Sequence, residues 1–371
     1  MPQINMLIKP ASGLCNMRCD YCFYCDVAQN RETENFGLMS RETQETLVRK
    51  ALEYADGSCN FAFQGGEPTL AGLEFFKRQV ELQKKYNIKN VIVTNALQTN
   101  GYGITDEWAS FLAENNFLVG LSLDGPRDIH DILRKDASGE GTFDRIMVTV
   151  EMFNKYKVEY NILTVVNKYV AQNPKDVYSF FKSKGFRYLQ FIECLDPFDA
   201  VSRDYSLTSE DYADFMKAVF DEYYNDFMKG RYISVRSFDN YISILMGRPP
   251  EACGMSGSCT AYHLVESNGN VYPCDFYVLD KYLLGNVNTN SFKDFEISQT
   301  ARDFVAESYH VDGACRRCKW YSLCRGGCKR CREPFVDGRP GLNRFCKAYK
   351  EFFEYAYPKM VTMAKKIANM R

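Results

Sequence analysis

The sequence predicts an α/β fold: a partial (β/α)6 TIM-type barrel followed by a cysteine-rich C-terminal domain that ends in a helix. Three observations carry this expectation. Apolar, strand-like runs alternate with segments of helical period as far as residue 228, the pattern of a parallel sheet with covering helices. Short Gly-, Asp- and Cys-bearing motifs fall directly after four of the runs. A second series of cysteines begins at Cys253, where that alternation has ended.

The first run, "INMLIKP" (4–10), leads into a cysteine loop and then a helix expected over Ser40–Tyr54. "CNFAFQG" (59–65) precedes the helix Leu73–Lys85, and "NVIVTNA" (90–96) precedes Thr105–Asn115. "FLVGLSLDG" (117–125), "VEYNILTVV" (158–166) and "FRYLQFIEC" (186–194) alternate with Thr142–Lys155, Pro174–Lys184 and Ser209–Met228. Ser40 and Thr105 have Thr43 and Trp108 three residues on, so neither opens a full capping box; Thr208 has Asp211 in that place. Six units are too few for a closed eight-stranded barrel, hence the open form. The cysteine loop, "GGEP" (65–68), "SLDG" (122–125) and "ECLDP" (193–197) all fall at C-terminal strand ends, the rim that carries the active site in β/α barrels. "YKEFFEYAYPKMVTMAKKIANM" (349–370) has apolar residues at helical spacing with a kink expected at Pro358, and Phe352, Phe353 and Tyr357 are expected to pack in a core. The domain division expected is 1–235 and 236–371.

Composition fixes the setting. A chain of 371 residues with 46% hydrophobic content can build large cores. The N-terminus "MPQINMLIKPAS" lacks a secretory layout and no apolar run is long enough to span a bilayer, so cytoplasm is the expected location. In that compartment thiols stay reduced, and fifteen cysteines imply metal ligation rather than a disulfide framework. Only three histidines are present, and the net charge of −1 gives no general attraction to nucleic acid or anionic membrane.

In "SGLCNMRCDYCFYCD" (12–26), Cys15, Cys19 and Cys22 are spaced C-x3-C-x2-C. The first gap is too long for the C-x2-C pairs of a zinc site. Three thiolates on a four-iron cluster would leave one iron open. The loop resembles that of the radical S-adenosylmethionine (AdoMet) superfamily, radical SAM, in which AdoMet chelates the open iron and is cleaved to a 5′-deoxyadenosyl radical. The resemblance implies that Gly65, Gly66 and Glu67 form the family's Gly-Gly-Glu motif near the AdoMet amino group. By position it places Tyr21 and Leu195 near the adenine, Ser122 near the ribose or methionine, and Arg134 near the carboxylate, which suits the guanidinium's fixed donor fork.

The later cysteines, Cys253, Cys259 and Cys274, then Cys315, Cys318, Cys324, Cys328 and Cys331, and finally Cys346, resemble the SPASM extension that binds two auxiliary four-iron clusters. The resemblance implies one cluster on Cys253, Cys259, Cys274 and Cys328 and another on Cys315, Cys318, Cys324 and Cys346. Cys25, Cys59, Cys194 and Cys331 are left over; Cys59 and Cys194 read as buried packing residues, and Cys331 stays open as an alternative ligand. Seven cations and no acid lie between Cys315 and Arg332. They read as an offset to the clusters' negative charge rather than a nucleic-acid patch.

Within the SPASM proteins the chain is similar to the anaerobic sulfatase-maturating enzymes, from "LIKPAS" through "FAFQGGEPTLAGLEFF", "LQTNG" and "VYPCDFYVLDK" to "CKWYSLCRGGCKRCR" and "YKEFFEYAYP". The resemblance implies oxidation of a cysteine or serine of an unfolded sulfatase, in a C/S-x-P-x-R segment, to Cα-formylglycine, without oxygen. It implies three [4Fe-4S] clusters, AdoMet, a low-potential donor such as flavodoxin or ferredoxin, and Asp275 as the base that takes the thiol or hydroxyl proton. A maturase that crosslinks a small ribosomal peptide, a non-enzymatic iron–sulfur electron carrier and a zinc-binding interaction protein are the alternatives.

Overall fold

The computed structural model describes residues 3–199, 201–335 and 338–370. All six apolar runs are strands: β1 (Ile4–Ile8), β2 (Ser58–Phe63), β3 (Ile92–Thr99), β4 (Phe117–Ser122), β5 (Tyr160–Val166) and β6 (Tyr188–Glu193). The six expected helices span Arg41–Tyr54, Leu73–Tyr86, Asp106–Glu114, Phe143–Tyr156, Pro174–Ser183 and Ser209–Met228. Ser40, Thr105 and Thr208 each accept a backbone N–H of the first turn, from Thr43, Trp108 and Asp211, which satisfies one otherwise orphaned donor per helix. Four short strands were not expected: β7 (Ser234–Val235), β8 (His263–Val265), β9 (Asn270–Tyr272) and β10 (Gly285–Asn286). Two or three residues are too few to show a period.

The chain forms two compact units. The first comprises the chain up to Leu123, Asp131–Tyr160 and Ala261–Phe304. Its strands lie in the order β10-β9-β8-β1-β2-β3-β4. β1 through β4 are parallel, and β8 joins β1 in parallel with Met6 opposite His263 and Ile8 opposite Val265. A segment more than 250 residues downstream is thereby set beside the first strand. Ile4, Met6 and Ile8 alternate into the core. Phe63, Phe76 and Trp108 pack edge to face at 4.9 and 5.1 Å, and burying each such ring contributes about 2 kcal/mol.

The second unit comprises Asp124–His130, Asn161–Thr260 and the chain from Val305 onward. It holds parallel β5, β6 and β7. Its core gathers Phe220, Phe238 and Phe352, with ring centroids 5.1 to 5.6 Å apart, from the helices Ser209–Met228, Arg236–Leu245 and Cys346–Ala368. Phe352 and Phe353 are fully buried, as the helical spacing predicts, but Tyr357 is 38% exposed; its ring packs at a tilt against Trp320, centroids 5.2 Å apart. The last helix continues through Pro358. Among the described residues no helix is long and apolar enough to cross a membrane.

Candidate active site

The loop after β1 is tied to a distant strap. Arg18 and Asp20 donate backbone N–H bonds to the carbonyls of Lys135 and Leu133, at 2.7 and 3.1 Å. Arg134 lies between those two acceptors, 5% exposed, with Nη1 4.0 Å from Cys19 Sγ. Its guanidinium sits over the Tyr21 ring, 5.4 Å from the centroid. Asn100 Nδ2 and the Met17 N–H point at Cys15 Sγ, 3.6 and 3.4 Å away. The Cys25 thiol is pushed up first by its hydrogen bond to Cys22, then by burial and the nearby Cys15 and Cys19, so this loop gathers four thiols and not three. Cys15, Cys19 and Cys22 fit the three-thiolate cluster, with Arg134 beside them.

The Gly-Gly-Glu motif closes over the same loop. Gly65 and Gly66 have φ of +101° and +58°, values costly for a residue with a Cβ. A Cβ on Gly66 would lie 2.3 Å from the Leu14 carbonyl oxygen, and the Glu67 N–H donates to that same oxygen at 2.7 Å. The chain itself is thus the close neighbour that requires glycine at 66. Glu67 is buried, and its carboxylate accepts four hydrogen bonds: Oε1 from the N–H and hydroxyl of Thr69 and the hydroxyl of Thr99, Oε2 from the Asn100 N–H. Ser122, at the end of β4, accepts from Gln98 Nε2 at 3.1 Å. Leu195, half-buried just after β6, belongs to the second unit.

Asp275 follows β9 and is 5% exposed. Its N–H donates to the Tyr262 hydroxyl at 2.9 Å. Oδ2 accepts from the Tyr24 hydroxyl at 2.8 Å, and Gln64 Nε2 donates to that same tyrosine oxygen at 2.7 Å. Oδ1 is buried and has no hydrogen-bond partner among the described residues. Burial pushes the carboxyl up to about 6, with the Tyr24 bond and Lys9 acting in the opposite direction; at neutral pH it is ionised. A buried carboxylate oxygen left bare is a site prepared for a donor from outside.

Sequence reasoning missed what surrounds it. Lys9 Nζ and Arg31 Nη1 both reach Glu266 Oε1, at 2.7 and 2.6 Å, and all three side chains are buried. Burial alone would raise the Glu266 carboxyl, but the two cations hold it below its ordinary value. Lys9 also lies over the Tyr24 ring at 5.3 Å, and its stem fills the space a Gly65 Cβ would need. The available signal was a charge inside each apolar run, "LIKP" and "LVES", since a buried charge calls for a partner.

The auxiliary cysteines sit on short turns and loops, except Cys346, which opens the last helix. In the second unit Cys315, Cys318, Cys324 and Cys346 line one cavity with Trp320, Tyr349 and Phe353, a donor set that fits a four-thiolate cluster. Cys253 is pushed up to about 11 by burial and then by Cys328 and Cys259, so those three thiols are neighbours. Cys274, in the first unit, lies 4.0 Å from the Tyr262 hydroxyl. Among the described residues no three His, Cys, Asp or Glu side chains converge as a single ion would need; a four-iron cube holds its thiolates on separate corners and asks for a wider spread. Cys59, Cys194 and Cys331 are buried.

Comparison with known proteins agrees with this geometry. Residues 10–181 match the radical SAM superfamily, and residues 253–319 match an iron–sulfur cluster-binding domain, SPASM. The chain is 48% identical over 369 residues to a cysteine-type anaerobic sulfatase-maturating enzyme of Clostridium perfringens, covering 99% of this chain and 100% of that protein. It is 32% identical to a serine-type enzyme of Bacteroides thetaiotaomicron, covering 99% and 93%. A solved structure of native anSMEcpe with bound AdoMet and a Cp18Cys peptide superposes with a TM-score of 0.95 at 48% identity, over 99% of this chain and 100% of that one. Streptococcus suis SuiB, at 15% identity and a TM-score of 0.66, shares the fold alone. The fold class is therefore an α/β radical SAM domain with a C-terminal SPASM domain, and the chain is an enzyme that belongs to the anaerobic sulfatase-maturating enzymes.

Proposed function

We propose that this enzyme oxidises a cysteine in an unfolded sulfatase segment of the form C-x-P-x-R to Cα-formylglycine, without oxygen. The observation that carries this reading is the bare, buried Oδ1 of Asp275, backed by Tyr24 and Gln64. When bound, three [4Fe-4S] clusters and AdoMet supply the 5′-deoxyadenosyl radical that removes a β-hydrogen from the target. Cys15, Cys19 and Cys22 hold the radical cluster; Cys253, Cys259, Cys274 and Cys328 hold one auxiliary cluster, and Cys315, Cys318, Cys324 and Cys346 the other. Arg134 would face the AdoMet carboxylate, Tyr21 and Leu195 would lie near its adenine, Ser122 near its ribose or methionine, and the backbone of Gly65 and Gly66 near its amino group. Glu67, whose carboxylate is already saturated by the chain, acts by holding the glycine turn against Leu14.

Asp275 accepts the target's proton through Oδ1. A carboxyl at about 6 is a weak base for a thiol of ordinary pKa about 8.5, so the proton leaves as the carbon is oxidised and the thiol acidifies. Hydrolysis of the resulting thioaldehyde gives the aldehyde. The radical SAM part is 1–235 and the SPASM part 236–371. Fifteen free thiols suit a reducing cytoplasm, where flavodoxin or ferredoxin supplies low-potential electrons.

The test is an anaerobic incubation of the reconstituted enzyme with AdoMet, a low-potential reductant and either C-x-P-x-R or S-x-P-x-R peptide. Hydrazine-reactive aldehyde is expected, faster from cysteine, because a thiol deprotonates more readily than an alcohol. A crosslinked peptide without aldehyde would replace this reading with a peptide maturase, and no AdoMet cleavage would leave an electron carrier.

A further inference from the structure

The proposed function uses Leu195 of the "ECLDP" motif and leaves Glu193 unassigned. Glu193 ends β6 and is half-buried. Strand alternation puts its side chain on the face of Leu189 and Phe191, where Phe191 packs edge to face on Phe215 of the helix Ser209–Met228 at 5.2 Å. There Glu193 Oε1 accepts the Tyr212 hydroxyl at 3.0 Å and the Tyr349 hydroxyl from the last helix. Both tyrosines are buried. Among the described residues no lysine or arginine pairs with Glu193. Two hydroxyl donors hold the carboxylate in place without neutralising it.

That charge stands between two groups of auxiliary thiols in the second unit. Tyr349, whose hydroxyl reaches Glu193, also lines the cavity of Cys315, Cys318, Cys324 and Cys346. One side chain therefore separates the carboxylate from that cavity. Tyr241 is buried, and its hydroxyl is pushed well up by burial and then by Cys324 and Glu193, so it too lies between them. Towards the other group, Cys331 sits one short turn after Cys328, its N–H donating to the Cys328 carbonyl at 3.1 Å. The Cys331 thiol is pushed well up first by its hydrogen bond to Cys328 and by burial, and then by the charges of Cys328 and Glu193. The same carboxylate is felt on both sides. A tie between β6 and the last helix needs no charge, since an amide oxygen accepts hydroxyls as well.

We propose that Glu193 sets the reduction potential of the auxiliary clusters, its fixed negative charge making them harder to reduce. The proposal rests on the cluster ligands given above. An added electron makes a thiolate-held cluster more negative, and an anion beside it opposes the change. A cluster held at lower potential retains an electron less readily and passes it on. Glu193 acts through the clusters and not on the target, as a positioning residue, so the potential is the quantity that reads it.

The experiment is an anaerobic redox titration followed by electron paramagnetic resonance. It uses the full-length chain carrying Cys15→Ala, Cys19→Ala and Cys22→Ala, so that only auxiliary clusters report. Glu193→Gln keeps an acceptor for both hydroxyls and removes the charge. It should make at least one auxiliary couple easier to reduce by at least about threefold, an upward shift of about 28 mV at about 59 mV per tenfold for one electron, with iron content unchanged. Glu210→Gln removes an exposed acid of the same unit, paired with Lys347, and should shift both couples by less than about 1.5-fold. The proposal is overturned if neither couple rises by threefold in Glu193→Gln, if Glu210→Gln moves them as far, or if Glu193→Gln loses auxiliary iron, which would make the carboxylate a structural tie. A parent protein without auxiliary-cluster signals would overturn the ligand assignment and this inference with it, whereas a normal parent with an unshifted variant overturns this inference alone.

Discussion

Two buried carboxylates of the first unit, Glu67 and Asp275, are treated in opposite ways. Glu67 accepts four hydrogen bonds, from Thr69, Thr99 and Asn100, and leaves neither oxygen bare. Asp275 has one oxygen held by Tyr24 and the other buried without a partner among the described residues. Burial raises both carboxyls above their ordinary range. A saturated carboxylate fixes backbone, whereas one left half-satisfied keeps its destabilisation for a donor that arrives with the reaction.

Removing each group should break this contrast in a characteristic direction. Glu67→Ala strands four buried donors, two of Thr69 and one each of Thr99 and Asn100, and should cost about 3 kcal/mol or more of stability, read by urea unfolding, and abolish AdoMet cleavage. Asp275→Asn should lower aldehyde yield about a hundredfold while 5′-deoxyadenosine still forms, because geometry is kept and proton acceptance is lost. It should not destabilise the fold. The folded carboxyl, at about 6, lies above its unfolded value of about 3.9; its stabilising contribution is present below about pH 4 and lost as pH rises through about 6. The asparagine variant should lack that fall in unfolding free energy.

Tyr24→Phe removes the donor to Oδ2 and should lower aldehyde yield about tenfold with a stability loss of about 1 kcal/mol. Lys9→Met should have the smallest effect, a few-fold in rate, since Glu266 retains Arg31 at 2.6 Å. A loss as large as that of Asp275→Asn would move the base's support from Tyr24 to the buried triad.

The strands and helices of the β/α units were legible because each is long enough to show its period, and the cysteines because cluster ligation leaves a spacing in the chain. Asp275 came from its place after Cys274 in a family pattern, not from any local signal. Its partners were hidden for a physical reason. Tyr24 and Asp275 are 251 residues apart, and Arg31 and Glu266 are 235 apart; they meet only because β8, three residues long, pairs with β1. Gly66 was legible as a position of close approach, but the neighbour is Leu14 of the chain. The basic run read as one feature, and burial divides it: Lys329, Arg330 and Arg332 are buried, whereas Arg316, Arg317 and Lys319 are exposed.

The most direct test uses a C-x-P-x-R peptide carrying deuterium at the cysteine β-carbon, incubated anaerobically with the enzyme, AdoMet and a low-potential reductant. The peptide should lose two hydrogens and exchange sulfur for oxygen, react with a hydrazine, and pass one deuterium to 5′-deoxyadenosine. Unlabelled 5′-deoxyadenosine, or a crosslinked product with no aldehyde, would contradict direct oxidation of the target cysteine at this site.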